Sequence, residues 1–215
     1  MNPTTALVFC GGGRATASLG DVGDALVVAA DVGVAEALRQ GLRVDLLVGD
    51  LDSAAPDDVQ RASRAGAAVV RHPQDKDATD LELAVEAAAG KGVSRVVVVG
   101  GRLGRLDHLL GNALLLAAPR FAGLEMDAVL GAARLHVVRR HRELRGDPDE
   151  LVSLFALQGP ARGVTTTGLR WKLDGDELAP GSSLGVSNRF VEHAATVSVE
   201  DGVVLVVRPG AEEGV

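Results

Sequence analysis

The chain has 215 residues, of which 47% are hydrophobic, so it can bury a substantial core in one large domain or two small ones. Its net charge of -7 argues against a nucleic-acid partner, because the chain has no general attraction to a phosphate backbone. No apolar run reaches membrane-spanning length, and the N-terminus lacks the layout of a signal peptide. With Cys10 as the only cysteine, these features predict a cytoplasmic protein without internal disulfides.

The first half of the chain alternates short β-branched runs with helical patterns. Most of the runs are apolar throughout, which is typical of a parallel sheet covered by helices. Strands are predicted at residues 6–10, 25–30, 46–48, 67–70 and 95–99, and helices at residues 34–40, 56–65, 79–89 and 106–117. The pattern predicts an N-terminal open, mainly parallel α/β sheet domain over residues 1–135.

After about residue 135 the sequence changes to strand-like runs separated by glycine and aspartate turns. Strands are predicted at residues 135–139, 151–157, 169–173, 196–200 and 203–208, which indicates an all-β domain over residues 136–215. Asp201-Gly202, between two alternating runs, predicts a tight hairpin. The charged segment at residues 139–148 is the expected boundary region.

Two carboxylates one residue apart, Asp50 and Asp52, directly follow the predicted strand at residues 46–48. Two acids so close together repel each other and are costly to bury, so the pair predicts a bound cation such as Mg²⁺. Asp31 follows the preceding strand in the same way, and ligands of open α/β sheets bind beyond the carboxyl ends of the strands. Helix capping is the alternative for Asp31 and for Asp52-Ser53, but it leaves Asp50 unexplained.

A second acidic segment runs from Asp75 to Glu82. Thr79 and Glu82 match a capping box, and Asp77 and Asp80 suit the start of a helix. Taken alone, the segment therefore favours a helix start over a ligand site. It follows the predicted strand at residues 67–70, so it opens on the same sheet edge as the first pair.

Two glycine-rich loops also follow predicted strands. In the first, Gly11 and Gly12 lack the Lys-Ser/Thr ending of a Walker A loop and the spacing of a dinucleotide fingerprint, and a simple flexible turn is equally compatible. In the second, glycines precede a predicted helix whose N–H groups could bind phosphate, with arginines that offer planar donor forks. The candidates in the second loop are Gly101, Arg102, Arg105, Asp107 and His108. A surface ion pair between Arg105 and Asp107, with a structural His108, is the alternative.

Trp171 is the only tryptophan in a chain with 2% aromatic residues. It could form a stacking surface for a flat, cationic ring. It could equally fill the core of a small β domain. The sequence leaves both interpretations open.

In this order, these blocks resemble the thiamine pyrophosphokinase family. The resemblance extends from near residue 30 to residue 188, and the ordered set is specific although each block alone is weak. The matching segments are Ala30-Asp31 with Gly33, Gly49-Asp50-Leu51-Asp52-Ser53, Lys76-Asp77-Ala78-Thr79-Asp80-Leu81-Glu82-Leu83-Ala84, Gly100-Gly101 with Gly104-Arg105-Leu106-Asp107-His108, Gly168-Leu169-Arg170-Trp171-Lys172-Leu173, and Gly185-Val186-Ser187-Asn188.

The resemblance implies an α/β catalytic domain, a C-terminal β-sandwich domain, and a homodimer with active sites between subunits. It also implies Mg²⁺-dependent transfer of a diphosphate from ATP to thiamine, which gives thiamine diphosphate and AMP. Carried over by position, the Mg²⁺ and phosphate ligands are Asp31, Asp50, Asp52 and Asp77. The same resemblance places Asp80, Arg105 and Asp107 on the nucleotide side. The other predicted nucleotide-side residues come from the glycine loops and the helix starts, and they are Gly11, Gly12, Thr79, Gly101, Arg102 and His108. The thiamine-side residues are Trp171, Ser187 and Asn188. Asp77 or Asp107 could accept the hydroxyl proton.

One departure from the family pattern lies in the loop after Asp31. The family commonly has glycine where this chain has Val32, and β-branched residues disfavour positive backbone angles, so a differently shaped loop is expected. Two other functions are weighed. One is a diphosphokinase for another heterocyclic alcohol, such as a hydroxymethyl pterin. The other is a thiamine or nucleotide sensor with a decayed site, which the intact acids argue against.

Overall fold

The computed structural model describes residues 4–19, 23–101 and 106–210. The chain divides into two compact units. The first comprises Met1–Leu115 and Gly123–Gly131, and the second comprises Leu116–Ala122 and Ala132–Val215. The predicted boundary after residue 135 falls inside a strand, Ala133–Val138, because that strand pairs with Asp201–Arg208 of the second unit.

The first unit contains six parallel strands in the order β4-β3-β2-β1-β5-β6. The strands are β1 (Thr5–Phe9), β2 (Leu26–Ala30), β3 (Leu46–Gly49), β4 (Ala68–Arg71), β5 (Arg95–Gly100) and β6 (Glu125–Leu130). The helices are α1 (Gly33–Arg39), α2 (Pro56–Arg64), α3 (Asp80–Ala89) and α4 (Leu106–Leu116). The α/β prediction for this half of the chain is confirmed. Among the described residues, no helix has the length and apolar character needed to cross a bilayer.

Strand β6 was not predicted, because its polar start does not look like a buried strand. Asp127 in this strand is only 3% exposed. Arg95, in the neighbouring β5, compensates its charge with an Nη2 to Oδ2 distance of 2.6 Å. The ion pair joins residues that are 32 positions apart, so no local pattern reveals it.

The second unit consists of antiparallel strands around one long strand. The strands are β7 (Ala133–Val138), β8 (His141–Arg145), β9 (Leu151–Thr167), β10 (Asp174–Leu178), β11 (Asn188–Arg189), β12 (Ala194–Ser198) and β13 (Asp201–Arg208). The first half of β9 pairs with β13, and its second half pairs with β10 and β12. A bend at Gln158 and Gly159, with φ angles of 66° and 141°, separates the two halves. The strands share one apolar core that includes Leu154, Val164 and Phe190.

Three local predictions in this unit are wrong. Asp201-Gly202 does not form a hairpin turn, since both residues begin β13, and β12 and β13 each pair with β9 rather than with each other. Residues 169–173 form no named strand, and an isolated bridge joins Leu169 to Phe190. The charged segment at residues 139–148 contains β8, which is held by β12.

Candidate active site

Three carboxylates converge at the carboxyl ends of the parallel strands. Asp31 follows β2, and Asp50 and Asp52 follow β3. One oxygen of each side chain lies within 4.8 Å of the other two, and burial decreases from Asp31 to Asp52. Positive φ angles at Asp31 (43°) and Leu51 (63°) turn the chain sharply at both strand ends. The predicted convergence of these acids is thus present in the structure.

The capping alternatives for these acids are wrong. The N-caps of α1 and α2 are Val32 and Ala55, and neither helix has a side-chain cap. Asp31 Oδ1 accepts instead from the Ala54 N–H at 3.2 Å, a contact that joins the loops after β2 and β3. Asp52 accepts from Ser53 Oγ at 2.8 Å and from Gln74 Nε2 at 2.7 Å.

Val32 does not force an unusual loop. Its φ of -58° is an ordinary helical value, and the positive angle lies at Asp31 instead. The valine instead restricts the space at Gly11, because a Cβ added there would lie 2.8 Å from Val32 Cγ2. The bulky residue after Asp31 therefore leaves little room for a side chain at position 11.

Lys76 lies in the carboxylate cluster but was not among the predicted site residues. Its Nζ lies 3.1 Å from Asp50 Oδ2 and 3.0 Å from Asp80 Oδ1, and its side chain is 14% exposed. The available signal was a lone cation within the acidic segment at residues 75–82. The structure thus links the two acidic segments through an ammonium group.

The electrostatic environment separates Asp31 from Asp50. Burial raises the pKa of the Asp31 carboxyl, and repulsion from Asp80 and Asp50 adds to this effect. The pKa of Asp50 is lowered by the backbone N–H of Asp52 and by the Lys76 ammonium. Asp50 is therefore the more firmly ionised of the two carboxylates.

A cavity of about 400 Å³ lies beside these carboxylates. It is large enough for a small-molecule ligand. The predicted nucleotide-side residues that line it are Gly11, Gly12, Asp31, Thr79, Asp80, Gly101 and His108, and Lys76 and Gln74 also line it.

The two glycine loops lie against each other in this region. A Cβ on Gly101 would lie 1.8 Å from the Gly12 carbonyl oxygen, so no larger residue fits there. The Gly101 N–H donates to the Gly11 carbonyl at 3.3 Å, and therefore it already has a partner within the chain. These glycines serve close backbone packing at the cavity.

The remaining predicted nucleotide-side residues differ in their contacts and positions. Thr79 Oγ1 accepts from the Glu82 N–H at 3.2 Å, which confirms its predicted N-cap. Asp77 is exposed and belongs neither to the three-carboxylate group nor to the cavity lining. Asp107 is exposed in the first turn of α4, where its Oδ1 accepts from the His108 N–H at 3.0 Å. Arg102 and Arg105 lie outside the described residues.

Trp171 is 56% exposed, so it is not a core residue. It lines a surface groove with Ser182, Leu184, Val186 and Asn188. The Arg170 guanidinium lies 5.8 Å from the centre of the indole ring. This exposure leaves the indole available as a stacking surface.

Asn188 and Ser187 have structural contacts of their own. Asn188 is 1% exposed, and its side chain hydrogen-bonds to the Trp171 backbone and to the Arg189 N–H. Ser187 is exposed, has a φ of 58°, and its N–H donates to Ser153 Oγ at 3.0 Å. Asn188 therefore acts on the groove by holding the Trp171 backbone.

Clustered carboxylates beside a ligand-sized cavity, at the carboxyl ends of a parallel sheet, are typical of enzymes that bind small phosphorylated ligands. Comparison with known families specifies the class further. Residues 23–127 match the thiamin pyrophosphokinase catalytic domain, and residues 135–204 match the thiamin pyrophosphokinase vitamin B1 binding domain. The chain belongs to the thiamine pyrophosphokinase family.

Individual relatives agree with this membership. The chain is 26% identical to the thiamine pyrophosphokinase of Bacillus subtilis over 192 residues. This alignment covers 85% of this chain and 86% of that protein. It is 27% identical to thiamine pyrophosphokinase 1 of Oryza sativa subsp. japonica, over 79% of this chain and 68% of that protein. The crystal structure of the Geobacillus thermodenitrificans thiamin pyrophosphokinase is similar, with a TM-score of 0.79 and 26% identity over 98% of this chain and 99% of that one.

Proposed function

We propose that this protein transfers the terminal diphosphate of ATP to the hydroxyl of thiamine, which gives thiamine diphosphate and AMP. The observation that carries the proposal is the convergence of Asp31, Asp50 and Asp52 beside the cavity of the catalytic unit. Family membership supports both substrates. The first unit matches the catalytic domain, and the second unit matches a vitamin B1 binding domain. The intact carboxylates argue against a decayed sensor, and the vitamin B1 match argues against a pterin substrate.

The three clustered carboxylates fit a hard divalent cation. They offer only oxygen ligands, which Mg²⁺ prefers, and they lie at the edge of the sheet where ligands bind. Asp31, Asp50 and Asp52 would hold the ion, and Asp77, predicted as a fourth ligand, stays a prediction. When bound, Mg²⁺ supplies neutralisation of the phosphate charge that builds up during diphosphoryl transfer.

The protein's own groups orient the reactants. The thiamine hydroxyl oxygen forms a bond to the β-phosphorus of ATP, and the bond from that phosphorus to the α-phosphate oxygen breaks, so AMP leaves with the bridging oxygen. Aligning a neutral alcohol with this bond is mainly a matter of positioning. Lys76 and His108 line the cavity and can contact phosphate oxygens there. Asp77 and Asp107 remain the proposed acceptors of the hydroxyl proton.

The acceptor binds through the β unit in this proposal. Thiamine has a flat, cationic ring, and tryptophan is the aromatic residue that attracts cations best. Trp171 presents its indole at the surface groove, held from behind by Asn188. Ser187 is proposed as a neighbouring polar contact.

We also propose that the protein is a cytoplasmic homodimer with active sites between its subunits. Three leucines of α4 support a protein contact, since Leu106, Leu110 and Leu114 are 68%, 57% and 56% exposed. Their spacing of four residues places them on one face of the helix. An apolar face of this kind is typical of an interaction surface.

The proposed reaction is tested by incubating the purified protein with ATP, Mg²⁺ and thiamine, and by quantifying AMP and thiamine diphosphate. We expect the two products in equal amounts and no turnover with chelator. A parallel incubation replaces thiamine with a hydroxymethyl pterin and is expected to give no product. Formation of ADP and a thiamine monophosphate would contradict diphosphoryl transfer.

A further inference from the structure

The carboxylate cluster contains its own cation. Lys76 Nζ lies within 3.1 Å of Asp50 Oδ2 and within 3.0 Å of Asp80 Oδ1. The second oxygen of Asp50, Oδ1, accepts from the Asp52 N–H at 3.2 Å. The Lys76 ammonium thus neutralises part of the charge of Asp50, and it repels a divalent ion that approaches this carboxylate.

Lys76 can leave Asp50 without leaving the site. Its side chain is flexible and ends in three donors, so one contact can break while another is kept. Asp80, four residues further along, holds the ammonium from the first turn of α3. Lys76 also lines the same cavity as Gly11, Gly12 and His108.

We propose that Lys76 is an exchanging countercation of the active site. It stabilises Asp50 until a divalent ion binds, gives Asp50 up to that ion, and then donates to the nucleotide phosphates while it stays paired with Asp80. The inference rests on the proposed function, because it requires a divalent ion at Asp50 and a nucleotide in the cavity. The exchange of Lys76 predicts that the divalent ion and the nucleotide each strengthen the binding of the other.

The test compares Lys76→Met with Lys91→Met, which removes an exposed lysine beyond the end of α3. Isothermal titration calorimetry measures the binding of Mg²⁺ alone and of a non-hydrolysable ATP analogue with Mg²⁺. In Lys76→Met we expect Mg²⁺ alone to bind roughly fivefold more tightly and the analogue to bind roughly tenfold more weakly. Lys91→Met is expected to match the wild type in both titrations. Unchanged or weaker binding of Mg²⁺ to Lys76→Met overturns the proposal.

Thermal melting gives a second readout on the same variants. Without Mg²⁺, Lys76→Met is expected to melt below the wild type because its clustered carboxylates repel each other. Saturating Mg²⁺ should remove most of this difference. A difference that persists at saturating Mg²⁺ would mean that Lys76 has a purely structural role.

A crystal structure of the wild type with Mg²⁺ and the ATP analogue tests the exchange even if Lys76→Met does not fold. We expect Lys76 Nζ to be beyond hydrogen-bonding distance of Asp50 and still paired with Asp80. A retained contact between Lys76 and Asp50 overturns the proposal. Failure of the proposed function is distinguishable, because it would show as a wild type that makes no thiamine diphosphate.

Discussion

The side-chain amide of Asn188 holds the backbone of Trp171 at two points. Asn188 Oδ1 accepts from the Trp171 N–H at 3.1 Å, and Asn188 Nδ2 donates to the Trp171 carbonyl at 2.7 Å. Asn188 is 1% exposed, whereas Trp171 is 56% exposed. A buried amide thus fixes the backbone from which an exposed indole projects.

This relationship predicts the behaviour of Trp171 variants. Trp171→Ala should raise the KM for thiamine about tenfold and leave the KM for ATP nearly unchanged, because a cation–aromatic contact is lost. Trp171→Phe should retain much of the thiamine affinity. Steady-state kinetics with each substrate varied in turn provides the measurement. Equal losses for both substrates would place the role of Trp171 in the fold rather than in the thiamine site.

The carboxylates at the strand ends predict a separation of activity from stability. Asp50→Asn and Asp52→Asn should each reduce Mg²⁺-dependent turnover by at least about a hundredfold while the protein stays folded. Asp57→Asn, which changes an exposed acid in the first turn of α2, is the matched control and should keep its activity. Product formation and circular dichroism measure the two properties. Loss of the fold in either variant would show that the carboxylate is structural.

The leucine face of α4 predicts an effect on association. Leu110→Glu combined with Leu114→Glu should convert the proposed homodimer to a monomer, because charged side chains are costly to bury in an interface. Sedimentation velocity of the variant and the wild type at the same concentration measures this. Val191→Glu, at another exposed apolar position, is the control and should leave the mass unchanged. A monomeric wild type would contradict the proposed dimer.

Two glycine substitutions are expected to have opposite effects on stability. Gly101→Ala should lower the free energy of unfolding by more than about 2 kcal/mol, since its Cβ would overlap the Gly12 carbonyl oxygen. Gly111→Ala should raise it by about 0.5 to 1 kcal/mol, because Gly111 lies within α4 and, apart from its chain neighbours and the backbone of its own helix, no described atom is within 4 Å of its added Cβ. Denaturant titration of both variants tests the pair. A neutral Gly101→Ala would show that the loops can separate.

The only thiol predicts a loss of stability at high pH. Burial raises the pKa of Cys10 from 9.0 to about 12. The folded protein therefore holds the thiol proton more tightly than the unfolded chain does. The protonated thiol makes its full contribution to the free energy of unfolding below about pH 9, and this contribution is lost as the pH rises towards about 12. Between about pH 8 and about pH 10.5, the wild type should lose more stability than Cys10→Ala in denaturant titrations. An equal loss in both proteins would contradict this assignment.

The sequence was sufficient for the parallel half of the fold. Uniform apolar runs such as residues 26–30 and 46–48 indicate buried strands whatever their neighbours in the sheet are. Their positions, and the acids that follow them, could therefore be predicted. The second unit was harder, since antiparallel pairing depends on distant partners. The alternation around Asp201-Gly202 favoured a hairpin, but β9 pairs with the strands on both sides of it.

The site was predictable where chemistry is carried by residue type, and less so where it depends on contacts. Acids at strand ends indicated the carboxylate cluster directly. The role of Lys76 depends on Asp50, 26 residues earlier, which only the folded chain brings within reach. Likewise, the exposure of Trp171 could not be read from its identity, because tryptophan occurs both in cores and at binding surfaces.

The strand β9 has a consequence for how the second unit unfolds. Its first half completes the pairing of β13, and its second half completes the pairing of β10 and β12. Detachment of β9 therefore removes backbone partners from strands on both sides of the bend and opens the shared apolar core. The amide protons of this unit should consequently exchange with solvent as one cooperative block rather than strand by strand.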